Sequence, residues 1–117
     1  MTTKIDNTIN LELFITKDKS GNPSKVFTGR DRGESVRKAS KIDEIEKNST
    51  EVYIIIPDNI YSINPSFFEE LFVNVVLKLG RDEFLKKFKF QSLGKYPYSK
   101  PLNEAISRIL RNKTAIG

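Results

Sequence analysis

The run Val52-Tyr-Ile-Ile-Ile56 limits this chain more than any other stretch of it. Valine and isoleucine are stiff at χ1 and pack well on a pleated surface. The run is too short for a stable helix and apolar at successive rather than alternate positions, the pattern of a central strand covered on both faces. Asn48, Ser49 and Thr50 stop whatever precedes it, and Pro57 closes it. A strand buried on both faces needs neighbours on either side and helices above and below.

The rest of the chain supplies candidates for both. Asn10 to Ile15 alternates, with Leu11, Leu13 and Ile15 against Glu12 and Phe14, as a half-buried strand does. Thr16 to Ser24 is turn chemistry, and Lys25 to Thr28, ending at Gly29, reads as the return strand of a hairpin. Arg30 to Lys47 carries Val36, Ala39, Ile42 and Ile45 at steps of three, an amphipathic helix with a thin apolar stripe. After the central strand, Pro57 to Ile63 is a loop.

Asn64 and Pro65 then open a helix as N-cap and first helical residue. Its apolar face runs through Phe68, Leu71, Phe72, Val75, Val76 and Leu79 to Gly80, and Arg81 to Lys86 forms a short helical turn. Phe88 to Leu93 alternates as a second core strand, Gly94 to Lys100 is a loop, and Pro101 begins a helix with Leu102, Ala105, Ile106, Ile109 and Leu110 on one face. Thr114 to Gly117 is expected to fray. The order β-β-α-β-α-β-α predicts an α/β fold with a small mixed sheet of about four strands flanked by helices, as a single domain over residues 1–117.

Composition narrows the chemistry. The 117 residues include no cysteine and no histidine, which removes disulfides, thiolate nucleophiles, the common zinc ligands and the usual base near neutral pH. The carboxylates are not paired for acid/base work, since Glu69 with Glu70 and Asp82 with Glu83 are helical neighbours that point apart. No metal site and no cofactor are expected, and the chain reads as a non-enzyme. No stretch is long and apolar enough to cross a bilayer and no leader segment is visible, so a cytoplasmic location away from membranes is the expectation. The net charge of +5 fits an anionic partner, although such blocks of charge are more often solvated faces.

Two stretches resemble the STAS-like family of bacterial proteins. Phe27-Thr-Gly-Arg-Asp-Arg-Gly-Glu-Ser-Val-Arg37 resembles the opening of that family's first helix, and Ile60-Tyr-Ser-Ile-Asn-Pro-Ser-Phe-Phe-Glu-Glu-Leu-Phe72, with Leu79-Gly80 and Glu83-Phe84-Leu85, its loop and second helix. The likeness spans about residues 25 to 112. It implies a fold similar to that of anti-sigma-factor antagonists, a small sheet flanked by helices that docks on a kinase-like ATPase, with a Ser or Thr at the start of the second helix open to phosphorylation. The family's acid at the end of the central strand is replaced here by Ile56, with Asp58 two residues on.

Asp58, Asn64, Pro65, Ser66 and Phe67 form the expected partner-binding surface. Ser66 is the candidate for phosphorylation, since the first turn of a helix favours a phosphate; equally, Asn64 and Ser66 can cap the helix, with Glu69 completing a capping box. Phe67 and Phe68 point about 100° apart on a helix. Either one is core and the other an exposed aromatic anchor, or a broad buried face takes both.

Arg30 and Arg32 beside Gly33 are a candidate anion site at a helix start, weighed against plain capping and surface charge. Lys86, Lys87, Lys89, Lys95, Lys100, Arg108 and Arg111 are interleaved with Phe88, Phe90, Tyr96 and Tyr98, of which the two tyrosines are left to stack on single-stranded nucleic acid. The expected function is a regulatory module that docks onto a protein, such as a histidine-kinase-like ATPase. The alternative is a basic nucleic-acid-associated protein, borne by a phage or mobile element and acting on a host system.

Overall fold

The computed structural model describes residues 7–14, 26–27, 29–58, 60 and 62–116. Strand β1, Thr8–Asn10, lies beside β3, Val52–Ile56, which lies beside β5, Phe88–Ser92, giving the order β1-β3-β5. Strands β2, Val26–Phe27, and β4, Ser62–Ile63, form a separate two-stranded pair. Every pairing among them is parallel. The expected mixed sheet is therefore corrected to a three-stranded parallel sheet with a small parallel annex.

The N-terminal strand sits earlier than its alternation suggested. It ends at Asn10, whose side-chain Oδ1 accepts the Glu12 backbone N–H at 3.0 Å. That bond turns the chain off the ladder, and Leu11–Phe14 form a 3-10 turn in which Leu11 is buried and Leu13 is exposed. Nor is there a hairpin, because β2 pairs with β4, far along the chain, rather than with β1. The expected turn between them, Thr16 to Ser24, lies outside the described residues.

The single helix expected from Arg30 to Lys47 is two, α1, Arg30–Ser40, and α2, Ile42–Asn48. Lys41 between them is left-handed, with φ 58° and ψ 37°. Apolar residues at steps of three drift around a continuous helix with its 3.6-residue turn. The break at Lys41 resets the phase, so that Val36 and Ile42 are both buried while Ala39 faces solvent.

Helix α3, Pro65–Lys87, starts as expected, with Pro65 first and Asn64 as N-cap accepting the Ser66 N–H at 2.9 Å. Gly80 interrupts it with φ 79° and ψ 172°, and a last helical stretch carries the chain to Lys87. Helix α4, Ser99–Ile116, begins two residues before Pro101 and runs to Ile116, Gly117 lying outside the described residues.

Helices α1 and α4 both pack on α3, and α3 covers one face of the sheet. Val52, Ile54 and Ile56 are buried beneath them, together with Ile9 and Phe88 from the flanking strands. Phe72 is the hub of the aromatic core, with ring centroids 5.2 to 5.9 Å from those of Phe68, Phe84, Phe88 and Phe90. On the other face Tyr53 is exposed and Ile55 half-buried, so among the described residues the central strand is fully covered on one side where its sequence predicted two.

Candidate functional site

The parallel connections β1 to β3 and β3 to β5 return through helices, which places the N-termini of α1 and α3 at the same end as the strand C-termini, and α4 starts there after β5. That end is where open α/β sheets present their loops to ligands and partners. The 3-10 turn follows β1 there, Pro57 and Asp58 follow β3, and Leu93 to Tyr98 follow β5. Two bonds tie the loops together: Leu93 donates its N–H to the Ile56 carbonyl at 2.9 Å, and the Arg32 guanidinium donates to the Phe14 carbonyl.

Tyr96 is the strongest clamp at this end. Its hydroxyl accepts the Ile63 N–H at 2.9 Å and lies 3.3 Å from the Ile63 carbonyl, to which it donates. The loop after β5 is thereby held against β4 and the start of α3. Asp58, Ile60, Leu93, Gly94, Lys95 and Tyr96 line an open hollow there of about 770 Å3. Leu13, 78% exposed, and Leu93, 52% exposed, stand out at the same end.

The predicted partner-binding residues divide. Asp58 and Asn64 are exposed, and Pro65 and Ser66 are half-buried. Phe67 is fully buried, as is Phe68, because the packed faces of α1 and α4 on α3 together span more than one side of the helix. Neither ring is an exposed anchor, which corrects that role for Phe67. The most exposed large apolar side chains among the described residues are instead Leu13 and Leu93. Their signal in the sequence was hidden, since each continues an alternation that the actual strand end cuts short.

Ser66 sits in the first turn of α3, its hydroxyl donating to Asn64 Oδ1 at 2.8 Å while its N–H takes the same oxygen. Glu69 completes no capping box. It is buried and accepts from Arg30 Nη1 and Nη2 at 3.3 and 3.4 Å, with Arg108 3.9 Å away.

Arg30 also reaches Glu70 at 3.4 Å. The two neighbouring carboxylates, expected to point apart, thus share one guanidinium. With Arg30 engaged by Glu69 and Glu70 and Arg32 by Phe14, the two arginines of the expected anion site serve as ties between α1, α3 and the 3-10 turn.

Of the basic and aromatic constellation, the rings are drawn inward while Lys86, Lys89, Lys95 and Lys100 stay exposed. Phe88 is buried, Phe90 stacks on Tyr98 at 5.5 Å, and Tyr96 is held by Ile63. The two tyrosines expected to be open to bases are engaged within the fold.

A third cluster was not anticipated. Glu46 of α2 is buried and accepts from Lys78 Nζ and Lys87 Nζ, each at 2.7 Å. Lys87 also donates to the Glu46 carbonyl oxygen at 2.7 Å. Burial pushes the Glu46 carboxyl up, but the two lysine hydrogen bonds and charges outweigh it and hold its pKa below the ordinary value. Lys78 precedes the Gly80 kink and Lys87 follows it, so one carboxylate fixes both halves of α3.

No group of three or more acidic side chains placed to hold a metal occurs among the described residues. No described helix is long and apolar enough to cross a membrane. Comparison with known proteins adds no family, since no family model, curated protein or solved structure matches the chain.

Proposed function

We propose that this chain is a non-enzymatic docking module that binds a protein partner through the strand C-terminal end, the partner being a histidine-kinase-like ATPase. The observation that carries the reading is the pair of exposed leucines, Leu13 and Leu93, projecting from loops at the same end as the Ser66 hydroxyl. Apolar anchors ringed by polar groups are what a protein interface needs. The resemblance of Phe27 to Arg37 and of Ile60 to Phe72 to the STAS-like family supports the class of partner.

In this reading the chain is a cytoplasmic bacterial protein. Phosphorylation of Ser66 would bring close to two negative charges to the rim of the interface. It would also break the grip of Asn64 on the Ser66 hydroxyl, and so acts as a release signal.

The test is capture of a tagged chain's partners from its native host, identified by mass spectrometry, with Leu13→Asp, Leu93→Asp and Ser66→Glu in parallel. An ATPase retained by the wild type and lost with the leucine variants is the expected result. Retention indifferent to all three changes would overturn the assigned surface. The nucleic-acid reading gains nothing from the geometry, because Tyr96 and Tyr98 are occupied within the fold.

A further inference from the structure

Strand β5 has β3 on one side and no strand on the other among the described residues. Leu93 turns its N–H toward β3, and backbone groups alternate in direction along a strand. In the observed register Lys89 and Gln91 therefore also face β3, while Phe88, Phe90 and Ser92 direct their N–H and C=O groups outward. The Phe88 N–H is taken by the Phe84 carbonyl. Phe90 and Ser92 keep an outward N–H and C=O each with no backbone partner among the described residues. An edge of this kind is a template for another strand.

The charge along the edge selects what can use it. Lys89, on the strand, and Lys95 and Lys100, past its end in the loop and at the start of α4, are exposed and in no ion pair among the described residues, Lys95 lining the hollow it shares with Asp58. Lys86 meets Glu83 only at 3.8 Å. A second copy would bring like charges together on a chain already at +5, which disfavours self-pairing. Nucleic acid would answer the charge but could not use a row of strand amides, and the nearby rings are packed inward.

We propose that β5 binds an acidic, extended segment of a partner protein by strand addition, with main-chain bonds to Phe90 and Ser92 and carboxylates against Lys89 and Lys95. This deepens, and rests on, the reading of the chain as a docking module. It adds a second contact beside the leucine-bearing end. Main-chain bonds would supply affinity and the lysine row the choice of sequence.

The probe is a fluorescent ten-residue peptide alternating Glu and Val, at low salt, with two analogues N-methylated on odd or on even residues. Saturable binding is expected, with one analogue at least tenfold weaker and the other close to the parent. Amide exchange at Phe90 and Ser92 should slow on binding. Ser92→Pro, which removes an outward N–H at an edge position that tolerates proline, should weaken binding at least tenfold, Lys89→Glu should weaken it as well, and Ser92→Ala should not.

Equal binding of both analogues, unchanged exchange at Phe90 and Ser92 under saturation, or no saturable binding each overturns the proposal. If Ser92→Pro fails to fold, the N-methylated pair decides alone. Oligothymidine binding at this edge in place of the peptide would assign the edge to nucleic acid. Partner capture lost with Leu13→Asp but unaffected by Ser92→Pro would overturn strand addition while leaving the docking module intact.

Discussion

Gly33 of α1 lies directly against the backbone of Phe67 in α3. A β-carbon there would run into the Phe67 carbonyl oxygen and come within 2.8 Å of Glu70 Cβ. The glycine is what lets the two helices approach, and the Arg37 guanidinium, donating to the Glu70 carbonyl, and Arg30, on Glu69 and Glu70, hold the approach from either side. Since backbone cannot move aside as a flexible side chain can, Gly33→Ala should cost about 1–3 kcal/mol through overpacking. Urea unfolding checks this; a midpoint equal to that of the wild type would show that α1 slides freely on α3.

The same packing makes Phe67 unsuitable as a probe of binding. Both Phe67 and Phe68 are buried, so Phe67→Ala should lower stability by about 3–5 kcal/mol. Leu93→Asp, at a half-exposed position, should change it by less than about 1 kcal/mol. Thermal unfolding of the two variants separates the structural residue from the surface one.

These outcomes mark how far the sequence could be read. The run from Val52 to Ile56, the Asn64-Pro65 helix start and the break at Gly80 were all legible, because each rests on local chemistry: β-branching, a cap, a positive φ. The first strand was misplaced by the side-chain bond of Asn10 to Glu12, and the first helix was not seen to break because nothing about Lys41 announces a left-handed conformation. At the candidate site, Asn64 with Ser66 was foreseen as a cap. The fate of Arg30, Glu69 and Tyr96 depended on residues more than thirty positions away, a distance over which periodicity is silent.

Tyr96 gives a prediction about the loop after β5. Removing its hydroxyl in Tyr96→Phe leaves the ring packed but strips the Ile63 N–H of its acceptor, a loss of about 1 kcal/mol. Faster amide exchange at Ile63, with little change in the core strands, is the expected signature. Unaltered exchange there would mean that the clamp is not closed in solution.

Glu46 makes the stability of the fold depend on pH. Its carboxyl is held below the ordinary value of 4.5 in the folded chain, so the folded state favours the ionised form. That contribution is fully present above the unfolded pKa and is lost as pH falls through the lower, folded one. Glu46→Gln keeps the shape but not the charge, and since Lys78 and Lys87 remain partly open to water it should lose on the order of 1 kcal/mol at neutral pH. Denaturant curves at a series of pH values should therefore converge for the two proteins as the solution is acidified through the carboxylate range. Parallel curves with a constant gap would show that the carboxylate of Glu46 is not what joins the two halves of α3.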